Sequence, residues 1–167
     1  AQYGDAAAFM IIDSTDSDIQ LRVNLDSRIN HNNNTFMFVG RSHNIRVHDG
    51  LFDRIGANFF VVDSRSSDIY LERNTLYVST AIGDQGLITT NGQLNVSGTY
   101  TTTGTISISN NNIILSTGGS GTIFNFSANG AGAVVNGVTL KNNLVSTINL
   151  DGGAGPARRS LATLISL

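Results

Sequence analysis

The 167-residue chain has no cysteine, no tryptophan and a single proline. Without cysteine there are no disulfides and no thiolate chemistry, and redox compartment cannot be read from the sequence. One proline, with aromatics at only 7%, does not describe a Pro-rich disordered tail. Charge is also scarce: charged residues make up 13%, and the formal net charge is -2. There is no basic excess to neutralise phosphates, so no nucleic-acid partner is expected. The longest fully apolar run, Ala6 to Ile12, is too short to span a bilayer, and no signal peptide is evident, so no membrane insertion is expected. The sequence begins at Ala rather than Met, as a processed chain or a fragment would.

What the chain does have is 40% apolar residues, 18 glycines, and abundant Asn, Ser and Thr. That composition supports one ordinary domain or two small ones, built of short strands separated by Gly/Asn/Ser corners. Charge is unevenly spread. Residues 1–79 hold ten of the twelve acids, seven of the ten bases and all three histidines. The segment 80–150 is a low-charge Gly/Asn/Thr-rich β region, with the break near Ile82-Gly83-Asp84-Gln85-Gly86. Residues 151–167 form a Gly-rich linker, Asp151 to Pro156, and a terminal segment that reads as a short helix or a last strand.

The strongest signal is an internal repeat. Phe9-Met10-Ile11-Ile12-Asp13-Ser14 through Asp18-Ile19-Gln20-Leu21 matches Phe59-Phe60-Val61-Val62-Asp63-Ser64 through Asp68-Ile69-Tyr70-Leu71 without gaps. Between them lies Phe36-Met37-Phe38-Val39-Gly40 through Asn44-Ile45-Arg46-Val47. Each unit is an apolar strand, a polar corner, then Asp or Asn followed by Ile-x-[Leu/Val]. A strand-only period of about 25 residues is one turn of a parallel β-solenoid, whose coils stack roughly 4.8 Å apart. Ile19, Ile45 and Ile69 are expected in one inward column and Leu21, Val47 and Leu71 in another. Asp18, Asn44 and Asp68 would share a corner, and Asn24 and Asn74 the next. In the second half, strands run through Ile106, Ile113, Ile123, Val138 and Leu144, with turns at Asn110-Asn111-Asn112 and Gly118-Gly119-Ser120-Gly121. The coil lengths drift there.

These Asp-Ile-x-Leu and Asn-Ile-x-Val units resemble the right-handed parallel β-helix superfamily, which includes pectate-lyase-like enzymes and bacteriophage tailspike or appendage proteins. Gly104 to Leu115 and Val134 to Leu140 also look like tailspike coils. The resemblance is one of pattern over most of residues 9 to 150, and no catalytic motif is matched residue by residue. It implies an all-β right-handed parallel β-helix. It further implies a homotrimer at the virion surface or outside the cell, binding or cleaving surface polysaccharide.

Candidate site residues follow from the period-2 rule. With Ile19 and Leu21 inward, Gln20 and Arg22 face out. The outer columns become Gln20/Arg46/Tyr70 and Arg22/His48/Glu72. Such a patch can bind sugar, with Tyr stacking on a pyranose face and Arg and Glu bonding hydroxyls. It can also be a solvated sheet face, each cross-strand pair worth roughly 0.2–1 kcal/mol, or a subunit contact. Asp13 and Asp63 are weak catalytic candidates. Two coils apart, they would be about 10 Å apart at the backbone, near the roughly 6.5–9.5 Å carboxyl spacing of inverting glycosidases. Their corner position favours backbone capping instead.

Asp13, Asp16 and Asp18 present hard oxygens of the kind calcium takes, but no later unit repeats the cluster. His31, His43 and His48 show no zinc spacing. No phosphate loop is present, so no cofactor and no metal are expected. The sequence thus points to a non-catalytic structural or host-adhesion module of a viral tailspike or fibre. The alternatives are a polysaccharide hydrolase or lyase of the same fold, and a bacterial surface adhesin subunit.

Overall fold

The computed structural model describes residues 9–24, 35–55, 58–62, 66–78, 86–90, 105–116, 122–126, 137–148 and 163–166. Among these, every helix or strand element is a strand. In chain order they are β1 (Phe9–Ile12), β2 (Thr15–Ile19), β3 (Arg22–Asn24), β4 (Thr35–Gly40), β5 (His43–His48), β6 (Leu51–Ile55), β7 (Asn58–Val62) and β8 (Ser67–Glu72). They continue with β9 (Thr75–Val78), β10 (Ile88–Thr89), β11 (Ile106–Ser109), β12 (Asn112–Ser116), β13 (Thr122–Asn125), β14 (Val138–Lys141), β15 (Leu144–Ile148) and β16 (Thr163–Ser166).

The strands fall into three parallel sheets, and the chain visits the sheets in rotation. The first sheet has the order β1-β4-β7-β10-β13-β16, the second β2-β5-β8-β11-β14, and the third β3-β6-β9-β12-β15. Every triplet of consecutive strands therefore adds one rung to each sheet. At the corners the repeat length is 28, 24, 37 and then 32 residues. The period of about 25 describes the first two repeats, and the later ones lengthen. The sheets continue across residues 79–85: β10 pairs with β7, β11 with β8 and β12 with β9. The terminal segment supplies a strand, β16, rather than a helix.

The sheets share one hydrophobic core. Met37, Phe60, Ile88 and Phe124 stack in the first sheet, and Ile45, Ile69 and Ile106 in the second. Phe52, Leu76 and Ile113 stack in the third, and all ten belong to a single buried cluster. Each such side chain contributes roughly 1.5–3 kcal/mol on burial. In β4 and β7 both alternating sets of residues are buried: Phe38 and Val61, one position out of step with Met37 and Phe60, are only 2% and 3% exposed, whereas Phe9 and Met10 of the edge strand β1 are 40% and 50% exposed. A parallel sheet covered on both faces reads as a continuous apolar run, which is why Phe36-Met37-Phe38-Val39 and Phe59-Phe60-Val61-Val62 do not alternate. The second sheet alternates, buried then half-buried, along Ser67–Glu72.

The first repeat departs from the expected register by two residues. Ser17 pairs with Ile45, and Ile19 pairs with Val47, so Ile19 belongs to the Val47/Leu71/Ile108/Leu140 column. Ile45 and Ile69 do stack on each other. The reason is the corner. Asp16, Asn44 and Asp68 share the left-handed conformation, with φ of 56, 52 and 56°. In the first repeat the residue bent this way is Asp16, not Asp18. Asn24 likewise aligns with Asp53 rather than with Asn74.

The corner between the second and third sheets is the most regular. Asp49, Arg73, Asn110 and Asn142 all have positive φ, between 49 and 57°. The next residue in each repeat is Gly50, Asn74, Asn111 and Asn143, and here side-chain amides run from rung to rung. Asn74 and Asn111 are fully buried. The Asn111 Oδ1 accepts from the Asn74 backbone N–H at 3.0 Å and from its Nδ2 at 3.1 Å. Asn143 Oδ1 accepts in the same way from Asn111, at 3.1 and 2.9 Å. Each amide also donates to the carbonyl of an inward residue: Asn74 to Val47, Asn111 to Leu71 and Asn143 to Ile108. The stack ends at Gly50, whose N–H donates to Asn74 Oδ1 at 2.9 Å. A Cβ there would lie 2.6 Å from the Phe52 ring and 2.9 Å from the Leu21 carbonyl, so glycine is required.

Replacing Asn111 by Ala strips partners from two buried donors and two acceptors. Each such group costs about 1–3 kcal/mol when left unpaired, and partial relaxation brings the expected loss to about 3 kcal/mol. Urea unfolding checks this against Ser107→Ala, an outward strand position expected to change stability by less than about 0.5 kcal/mol.

Candidate binding face

With β4 and β7 of the first sheet buried on both faces, the polar exposed chemistry of the described residues is carried chiefly by the corners and by the outer sides of the second and third sheets. On the second, the outer columns are Asp18/Arg46/Tyr70/Ser107/Thr139 and His48/Glu72/Ser109/Lys141. The two-residue shift puts Asp18 where Gln20 was expected. Gln20 instead sends its Nε2 to the Asp49 carbonyl at 3.4 Å. Arg22 belongs to the third sheet, opposite Leu51, and is not on this face. Arg46 beside Tyr70, and His48 beside Glu72, are in register as the sequence repeat implies.

Two corner residues that the sequence reading passed over complete the cluster: Asp49 and Arg73. Arg73 grips Asp49 through Nε and Nη2 at 2.8 and 2.7 Å, and its Nη1 lies 3.2 Å from Glu72 Oε2. His48 lies between two carboxylates, with Nε2 at 2.9 Å from Asp18 and Nδ1 at 2.6 Å from Asp49. Arg46 places its guanidinium 5.3 Å from the centre of the Tyr70 ring and 3.5 Å from Glu72. One chain of contacts therefore links three successive rungs, from Asp18 through His48 and Asp49 to Arg73. A cation over an exposed ring contributes roughly 0.5–1 kcal/mol, and exposed ion pairs less than about 1 kcal/mol each. The network fixes side-chain positions more than it stabilises the fold. Because Arg46 covers Tyr70, that face of the ring is occupied by the guanidinium.

Between Asp16, Ser17, Asp18 and Asn44 on one side and Arg46, His48 and Arg73 on the other lies an open hollow of about 290 Å³. Asn44 Nδ2 donates to Asp16 Oδ1 at 2.8 Å across its rim. Below the third rung the same face carries the small neutral residues Ser107, Ser109 and Thr139 and one charge, Lys141.

The other candidates are placed differently. Asp13 is clamped by Arg41, whose Nε and Nη2 meet its two oxygens at 2.8 and 2.7 Å. Both residues are left-handed, with φ of 53 and 50°. An arginine is unusual in that conformation, and at both Arg41 and Arg73 a bidentate carboxylate from the preceding rung accompanies it. Asp63 and His31 lie outside the described residues. His43 Nδ1 is 2.6 Å from Ser67 Oγ. Asp13, Asp16 and Asp18 go to three separate partners, Arg41, Asn44 and His48. Among the described residues no three acidic or His side chains converge as metal ligands would.

The Arg73 guanidinium, and then His48, hold the Asp49 carboxyl well below its ordinary value of 3.8. Arg73 is in turn raised by its bond to Asp49. A depressed carboxylate contributes stability that is fully present above its unfolded value and is lost as pH falls below it. The stability of the native protein is therefore expected to fall more steeply on acidification from about pH 5 to pH 2 than that of Asp49→Asn. Equal slopes in chemical unfolding across that window would show that the pair contributes nothing.

Comparison of the chain with protein-family models, with curated proteins and with solved structures returns no match.

Proposed function

We propose that the chain is a right-handed parallel β-helix acting as a structural and host-adhesion module of a viral tailspike or fibre, with the outer face of its second sheet binding surface polysaccharide. The observation that carries this reading is the hollow. It is a polar depression on an exposed sheet face, rimmed by side chains locked into position by their neighbours across three rungs. Sites held on packed strands lose little freedom on binding, which suits weak, repeated engagement of a polymer. The strict rotation through three sheets supports the helical winding.

A homotrimer at the virion surface or outside the cell belongs to the same proposal. Leu51 and Leu144, 38% and 61% exposed, lie in one outer column of the third sheet and offer apolar surface for a subunit contact. Of the two catalytic candidates, Asp13 has both oxygens taken by Arg41 and Asp63 lies outside the described residues, so adhesion is the reading proposed over depolymerase chemistry.

The protein is expected to bind immobilised capsular polysaccharide or lipopolysaccharide without releasing new reducing ends. Asp18→Ala combined with Arg46→Ala should weaken retention about tenfold, a loss near 1.4 kcal/mol. Light scattering should give three times the chain mass. A monomer that binds none of these glycans contradicts the reading, and new reducing ends would replace adhesion with catalysis.

A further inference from the structure

We infer that the hollow selects glycans that donate hydrogen bonds and carry no negative charge, favouring amino sugars over neutral sugars and excluding uronates. This rests on the glycan-binding reading above and specifies its ligand.

The argument is one of unspent capacity. Arg73 is the only cation of the hollow with three nitrogens engaged, two on Asp49 and one on Glu72. Arg46 lies over Tyr70, 5.3 Å from the ring centre, and 3.5 Å from Glu72. His48 spends both ring nitrogens on carboxylates. Arg73 is thus spent on the protein's own acids, whereas Arg46 meets Glu72 only at 3.5 Å and keeps a side chain 46% exposed, so the cations of the cluster are outnumbered by its acids rather than fully paired. The acids are not equally spent. Asp18 has its side chain 72% exposed and engages His48 through Oδ1 alone among the described residues. Asp16 engages Asn44 through Oδ1 alone among them. Four carboxylates (Asp16, Asp18, Asp49 and Glu72) meet two guanidiniums and one imidazole in this cluster.

What the rim offers a ligand is thus chiefly acceptor oxygens with residual negative charge. Hydroxyl and ammonium groups satisfy them, and a carboxylate is repelled. The volume lies just below the roughly 300–1,000 Å³ typical of small-ligand sites, so a short stretch of sugar fits it better than a long buried chain.

The test is isothermal titration of the whole chain at about pH 6 and low salt with three tetrasaccharides: a glucosamine tetramer, a neutral glucose tetramer and a galacturonate tetramer. The amino sugar is expected to bind roughly tenfold tighter than the neutral one, a margin that two partly exposed carboxylates can supply. The galacturonate is expected to show no heat of binding. Added salt should erase the margin. Asp18→Asn and, separately, Asp16→Asn should each narrow the ratio of glucosamine-tetramer to glucose-tetramer affinity. Galacturonate binding as well as or better than the neutral tetramer overturns the selectivity and leaves the face a glycan site. A margin unchanged in both variants also overturns it. Failure of all three tetramers to bind overturns the underlying reading together with this one.

Discussion

A chain that turns from one sheet to the next beside its own core must satisfy backbone groups where no strand partner is available. Here that constraint is met by stacked amides. Asn74, Asn111 and Asn143 each bond the residue above or below and an inward carbonyl of the preceding rung. Buried polar groups of this kind are costly unless fully paired, and fully paired they specify one arrangement. The stack fixes which corner residue lies over which, and so fixes register in the second and third sheets that flank it. A one-residue slip would expose Ile69 and Leu71 and bury Tyr70 and Glu72.

The corners also decide the surface. Four left-handed residues in a row of rungs, Asp49, Arg73, Asn110 and Asn142, project from the same edge. In the first rungs this edge carries charge, and in the later ones amides, with Asn142 Nδ2 donating to Asn110 Oδ1 at 3.3 Å. The charged face is thus an extension of the fold's own corner chemistry. Its positions are set by the backbone, and its side chains are set by one another.

Much of this was legible in the sequence, and the parts that were not have identifiable causes. The Ile-x-Leu units gave the inward columns of the second sheet, because alternation is strict where only one face is buried. The tandem arginine-tyrosine and histidine-glutamate neighbours followed from the repeat. The first repeat misled because two aspartates, Asp16 and Asp18, compete for one corner, and pattern alone favours the one preceding Ile. Ser17 then takes the inward position that Ile45 and Ile69 hold later, at an end rung where it is only half-buried. The amide stack was visible only as scattered asparagines. Each lies three residues after the second inward apolar residue (Leu71, Ile108 and Leu140), a spacing that emerges once register is known. Asp49 and Arg73 went unnoticed because nothing in local pattern marks an arginine for a left-handed turn.

The central claim is that strands of successive triplets lie side by side in the stated register, including across the longest repeat. The chain's lack of cysteine makes cross-linking a clean measure of this. Tyr70 and Ser107 are outward partners on adjacent strands, and parallel neighbours are spaced within the roughly 4.4–6.8 Å that a disulfide spans between Cα atoms. The double variant Tyr70→Cys, Ser107→Cys should form an intramolecular disulfide under mild oxidation and retain native unfolding behaviour. Absence of that bond, with Tyr70→Cys linking instead to a cysteine placed at Thr105 or Ser109, would contradict the account.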